Sequence, residues 1–246
     1  MMTMTEYRNK TFRSLHDYNS GRRYSGFSFM NCHFQSSTVV CETVELGDRT
    51  GICNSDIRDC SHAGCAVKGG IVEDVLVENF KTAKMFHTWG TVFKHVTFRG
   101  RIGRVMLSDL FEQPFKGKIT SVQRAFEKAN AEYYSTVDWA LDIREAEFDD
   151  FDCRGVPSRL VRRNPETQMM LTRERVLAHK DAIGAGGKHW EDMIKLFLSR
   201  PAGIFTNLID VIYVVPRKGA PYHGPDRPTL IAGIAALRKA GVAELD

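Results

Sequence analysis

The chain lacks any uninterrupted apolar run of about 18 residues, the length that reads as a membrane-crossing helix. Its first residues, Met1 to Arg8, contain no apolar core of a secretory leader. Lys and Arg are not gathered into a block, and the formal net charge is only +4. That is well short of the basic footprint of a nucleic-acid surface. The six cysteines, at 32, 41, 53, 60, 65 and 153, fit no zinc-ligand spacing, and Cys60-x4-Cys65 stands alone as a close pair. They read as free thiols acting as small apolar residues. Without a leader, a reducing cytoplasmic location is the expectation. Also missing are a Gly-x-Ser-x-Gly elbow, a phosphate-cradling glycine loop, His-Glu-x-x-His and a dinucleotide fingerprint. The common enzyme classes thus leave no mark here, and neither a metal nor a cofactor is expected.

What is present is ordinary for a folded chain. Hydrophobic residues make up 43% of the 246 and charged residues 26%, enough to bury a core in one large or two small domains.

The organising feature is a repeated phrase, an alternating apolar pair followed by a small polar residue or glycine. It occurs at Phe27–Asn31, Ser55–Asp59, Val75–Asn79 and Val96–Gly100, at offsets of 28, 20 and 21. A period near 20 built from short strands predicts a parallel β-helix. Because strand side chains alternate, stacking predicts an inward ladder of Phe29, Ile57, Val77 and Phe98. Cys32 and Cys60 follow the polar position of their phrases, where Phe80 stands in the next, and are read as core. The longer first offset predicts a loop within Gln35–Arg49, a candidate contact loop. Residues 1–23 show no clear period and are read as an N-terminal cap, with Phe12, Leu15 and Tyr18 covering the open end.

Thr120-x-x-Gln123 reads as a capping box, and Val122, Ala125, Phe126, Ala129 and Tyr133 recur at helical spacing. A lateral helix over 120–134 follows, inserted before a last strand at Ala140–Glu145. From about Gly155 the pattern changes. Arg159–Arg163 and Gln168–Thr172 read as strands about a turn at 164–167, followed by a helix from Thr172 to about Ala182. Gly184–Gly187 breaks it. Trp190, Met193, Ile194, Phe197 and Leu198 predict an amphipathic helix stopped at Arg200-Pro201. Ile209–Val215 reads as a strand buried on both faces. The last helix has Pro228 in its first turn, Leu230, Ile234 and Leu237 on one stripe, and Gly241 as stop. The expected fold is α+β. A short right-handed parallel β-helix-like domain (1–154) precedes a small α/β domain (155–246).

The stretches Phe29–Phe34, Ile57–Cys60, Val75–Phe80, Val96–Gly100 and Leu141–Phe148 resemble the pentapeptide-repeat and wider right-handed β-helix families. The resemblance spans about the first 150 residues and implies a shape rather than an activity. Some pentapeptide-repeat proteins mimic DNA with an acidic surface, a role the net charge of this chain does not fit. Residues 155–246 resemble no family.

Three constellations carry candidate chemistry. The loop 216–227 holds Arg217, Lys218, His223 and Arg227 between a strand end and a helix start, where anions bind. The alternative is a solvated connection stiffened by prolines. His87 and Trp89, with His95 nearby in sequence, would form a ligand shelf at a corner, or else simple packing. Glu145, Glu147, Asp149, Asp150 and Asp152 would supply paired carboxylates for glycoside chemistry. Their alternation with Ala146, Phe148 and Phe151 fits a solvated strand face as well. No catalytic residue is assigned. The expected function is a non-catalytic protein-binding or scaffold module whose partner is another protein. The competing expectation is an enzyme or sensor taking a small anion at 216–227. No membrane or nucleic-acid partner is expected.

Overall fold

The computed structural model of the protein describes residues 4–112, 118–199 and 209–245. The architecture is mixed α+β, with mostly parallel strands in a curled, half-barrel sheet and few helices. Among the described residues no helix is long and apolar enough to cross a membrane.

The chain opens with four short strands, β1 (Thr5–Arg8), β2 (Thr11–Arg13), β3 (His16–Tyr18) and β4 (Arg23–Ser25). Then come β5 (Phe27–Met30), β6 (His33–Gln35), β7 (Thr38–Val40), β8 (Gly51–Arg58), β9 (Ser61–Ala63), β10 (Ala66–Lys68) and β11 (Ile71–Glu78). β12 (Lys81–Thr82), β13 (Phe86–Trp89), β14 (Val92–Lys94) and β15 (Val96–Ser108) complete this run. α1 (Ser121–Ser135) is followed by β16 (Leu141–Cys153) and β17 (Val161–Arg162). The C-terminal part holds β18 (Gln168–Thr172), α2 (Arg173–Ala178), α3 (Lys188–Ser199), β19 (Asp210–Val214) and α4 (Arg227–Lys239).

Every strand pair up to β17 is parallel. One face runs β1, β5, β8, β11, β15, β16. A second runs β2, β6, β9, β12, and a third β3, β7, β10, β13, β15. The inward ladder has the register expected from the phrases, Phe29 beside Ile57, Ile57 beside Val77, and Val77 beside Phe98. Tyr7 extends it and stacks on Phe29 with centroids 5.3 Å apart. Cys32, Cys60 and Phe80 are buried as expected, and all six thiols are free.

The corners explain why the ladder persists. Left-handed residues recur every fifth position, at Asn9, Ser14 and Asn19, at Gly26, Asn31 and Ser36, and from Asn54 through Asp59, Gly64, Gly69 and Asp74 to Asn79. Asn and Asp tolerate this conformation because their short polar chains bond locally. Asn31 donates to Asn9 Oδ1 at 2.7 Å and Asn79 to Asp59 Oδ1 at 3.1 Å, so the corners bond across neighbouring strands. Gly69, at φ +67°, has no substitute, since a Cβ there would lie 2.0 Å from the Cys41 carbonyl oxygen.

Several expectations change. Residues 5–18 are strands in the same parallel ladders rather than a separate cap, and Leu15 and Tyr18 are 54% and 65% exposed instead of covering the core. The inserted loop does fall within Gln35–Arg49 as expected, after Val40, since Gln35 and Thr38–Val40 are strand. α1 lies where expected, and Thr120 caps it by accepting from the Gln123 amide at 3.0 Å. Its buried stripe is Gln123, Phe126, Asn130 and Tyr134, while Val122 faces solvent. The Gln123 carbonyl accepts from the amides of Phe111 and Glu112, so a polar residue takes the core position.

Leu141 and Ile143 are the inward pair expected of a last strand. The expected strands at 159–163 and 168–172 are not partners. β17 joins the large sheet beside Leu141, and β18 pairs antiparallel with β19. The expected helix at 172–182 ends at Ala178 and continues as a 3-10 turn. Among the described residues β19 pairs only with β18, antiparallel, so the strand end before 216–227 is not the edge of an open parallel sheet of the kind that binds ligands. Trp190, Ile194 and Phe197 are buried on α3, as are Leu230, Ile234 and Leu237 on α4, and these form the second core. The stop at Arg200-Pro201 lies outside the described residues.

Candidate functional site

The basic loop leaves β19 and returns as α4. Asp226 caps that helix, accepting from the Thr229 amide at 2.9 Å, with Pro228 in the first turn. The cap carboxylate therefore uses an amide that an anion would otherwise take. Arg217 donates from its main-chain amide to the Phe148 carbonyl at 2.8 Å, and its Nε lies 2.5 Å from Asp149 Oδ1. Arg227 donates to the Pro216 carbonyl at 2.8 Å, with Nη2 4.0 Å from Glu147 Oε1. Both arginines thus tie the loop to the acidic face of β16. Lys218 and His223 are exposed. Arg217, Lys218, Asp226 and Arg227 share the wall of a cleft of about 570 Å³, which His223 does not line.

His87 and Trp89 sit together on β13, ring centroids 4.9 Å apart. His87 Nε2 is buried with no hydrogen-bond partner among the described residues, and burial lowers its pKa. His95 is held elsewhere, at a left-handed corner between two carboxylates. Its Nδ1 is 3.1 Å from Asp74 and its Nε2 2.7 Å from Asp138, and its ring lies 4.6 Å from that of Trp139. The bond to His95 holds the Asp138 carboxyl below its ordinary range. The contacts of His95 are therefore not those of His87 and Trp89, and the three form no common shelf.

The acidic run divides by side. Ala146, Phe148, Phe151 and Cys153 point inward. Asp149 pairs with Arg217 and Asp152 with Arg154. Asp150 has no ion pair among the described residues, and burial, then the nearby Asp152, raises its pKa. These carboxylates line a second cleft of about 340 Å³ with Arg104, Trp190 and Tyr222. In it the Tyr222 hydroxyl lies 3.2 Å from His189 Nε2. No sequence signal marks His189 or Tyr222 as neighbours of Asp150, because three remote segments meet there. Arg217 and Arg154 thus offset the charges of Asp149 and Asp152, while Asp150 is left without an ion pair among the described residues.

Set against known proteins, the chain matches no family model, no curated protein and no solved structure.

Proposed function

We propose that the protein is a non-catalytic protein-binding or scaffold module. Its N-terminal part is a short right-handed β-helix with a lateral helix, and its C-terminal part a small α/β unit. The five-residue recurrence of left-handed corners and the three parallel ladders support the β-helix. One observation carries the binding role. Outward residues of one face stand in register across six strands as Arg8, Met30, Arg58, Glu78, Arg99 and Glu145. Arg58 pairs with Asp56 at 3.0 Å and Glu78 at 2.9 Å, and Arg99 pairs with Glu78 at 3.4 Å and Glu145 at 3.5 Å. Such a face is fixed in shape before a partner arrives, so little ordering entropy opposes docking. Its pairs are partly exposed, so they set specificity more than affinity. Replacing Arg58 and Arg99 with Gln removes the two positive charges without setting carboxylates against Asp56, Glu78 and Glu145. It should abolish capture of a native partner while circular dichroism still shows the folded protein. Turnover of a substrate by the purified protein, with capture unchanged by the replacements, contradicts the proposal.

A second reading is favoured by the shared cleft of Arg217, Lys218 and Arg227, namely a sensor or enzyme taking a small anion at 216–227. Against it stand the ion pairs to Asp149 and Glu147 and the Asp226 cap. Phosphate raising the melting temperature of wild type but not of Arg217→Ala/Lys218→Ala supports this second reading.

A further inference from the structure

The two ends of the strand stack are finished differently. At the C-terminal end the chain covers its own edge. β17 pairs with Leu141 and Asp142, Gln168 donates to the Ile143 carbonyl at 2.8 Å, and the Arg217 amide donates to the Phe148 carbonyl at 2.8 Å. At the N-terminal end β1, β2 and β3 each have one partner, β5, β6 and β7. Their hydrogen bonds run inward from alternate residues, through the Thr5 and Asn9 amides of the first strand, the Lys10 carbonyl and Ser14 amide of the second, and the Leu15 carbonyl and Asn19 amide of the third. A parallel ladder directs the intervening residues the other way. The backbone groups of Glu6, Arg8, Thr11, Arg13, His16 and Tyr18 therefore face out of the stack. These six residues are exposed, and among the described residues no strand or helix pairs with this edge. No proline interrupts residues 4–20. Proteins that stay single chains block such an edge with proline, a bulge, a covering element, very short strands or charge. These strands are short and charged. The charges of β1 are of opposite sign, however, Glu6 and Arg8, and so do not repel a second copy paired antiparallel.

We infer that this end is an interface with a second copy of the same chain, the two N-terminal ends meeting edge to edge about a two-fold axis. β1 is self-complementary for such a contact. A two-fold axis through Tyr7 makes the paired strands antiparallel and sets each Glu6 opposite the partner's Arg8. Glu6 and Arg8 are also the residues whose amides and carbonyls face out, so each such pair closes two backbone hydrogen bonds. Both side chains lie on the outer face and already attract one another within a chain, at 3.2 Å. β3 repeats the relation about Asp17, which sets His16 opposite the partner's Tyr18. His16 and Tyr18 stack within one chain, centroids 6.2 Å apart, and exchange there places aromatic surface between the copies. A ligand or a single peptide strand would close one of these edges. Another copy of the same end closes several at once, and that selects it as the occupant. The inference rests on the observed strand pairing and not on the partner-binding face proposed above. A monomeric result would leave that face untouched.

The test is sedimentation of the full chain over a concentration series, with charge exchange at the edge. Wild type is expected to form a dimer. Glu6→Arg places like charges opposite one another at two symmetric positions and should weaken it by about tenfold. Arg8→Glu should do the same. The double variant Glu6→Arg/Arg8→Glu should restore the dimer. A mixture of the two single variants should form the heterodimer, because one variant then presents two arginines to the two glutamates of the other. All these side chains are exposed, so folding, followed by circular dichroism, should be unchanged. A monomer at every concentration, or a dimer indifferent to both single reversals, overturns the inference. So does a double variant or mixture that fails to recover association while remaining folded.

Discussion

Arg49, fully buried, donates from Nη1 to Asn130 Oδ1 at 2.7 Å. The same guanidinium lies 4.5 Å from the centre of the Phe126 ring, donates to the Val44 carbonyl at 3.1 Å, and joins the loop before β8 to α1. Burial pulls its pKa down to about 10, so it remains a cation at neutral pH. No carboxylate pairs with it among the described residues, which makes Asn130 its main neutralising dipole. Asn130→Ala should therefore cost about 2–3 kcal/mol in denaturant unfolding, because it strands a buried charge. Arg49→Met with Asn130→Leu should recover most of that loss. Additive losses in the double variant would contradict the coupling.

The ladder through Val77 gives a face-specific prediction. Val77→Asp places an unpaired carboxylate in the core and should abolish soluble folding. Leu76→Asp, one residue away on the outer face, should change stability by about 1 kcal/mol or less. Equal tolerance of the two would refute the register.

Two buried groups give opposing pH dependence. His62 is stacked on Phe80, 5.4 Å between centroids, and burial lowers its pKa to about 4. The unfolded state takes the proton first. Its contribution is thus complete above the unfolded value near 6.5 and is lost as pH falls towards 4, by about 3 kcal/mol. Burial raises Asp109 to about 6, and among the described residues no side chain pairs with its carboxylate. Here the folded state keeps the proton, so stability is present below the unfolded value and is lost as pH rises towards 6. Between pH 4 and 6 the two slopes offset each other. His62→Phe should leave stability rising as pH falls, Asp109→Asn should leave it falling, and urea unfolding at pH 4, 5 and 6 reads both. Identical slopes in the two variants would contradict this.

Gly69 and Gly26 separate crowding from strain. Both have positive φ, but a Cβ at Gly26 meets nothing within 4 Å, whereas at Gly69 it strikes the Cys41 carbonyl. Gly26→Ala should cost about 1 kcal/mol and Gly69→Ala about 3 kcal/mol or more, measured as denaturant midpoints. Equal losses would contradict the close approach.

The inward ladder is legible in the sequence because alternation between faces is written in the apolar residues themselves. The N-terminal strands are not, because Asn9, Ser14 and Asn19 make their corners without glycine and hide the period behind polar residues. The phase of α1 departs from its apolar pattern for a related reason, since Gln123 and Asn130 occupy core positions through hydrogen bonds to Phe111, Glu112 and Gly90. Nothing near Arg217 or Arg227 announces Asp149 and Glu147, some 70–80 positions earlier. Charge in a loop can be read from sequence, but its compensation from a remote strand cannot.

The parallel register is the claim on which the rest depends, and a disulfide scan tests it most directly. Asp56 and Leu76 are ladder neighbours facing outward, and Thr97 is the next step beyond Leu76. Adjacent strands lie about 4.8 Å apart, inside the Cα range of a disulfide, whereas two steps exceed it. Asp56→Cys/Leu76→Cys should cross-link within the chain on mild oxidation, read by mass spectrometry of the linked peptides. Asp56→Cys/Thr97→Cys should not. Rapid linkage of the second pair with none in the first would contradict the register and the fold built on it.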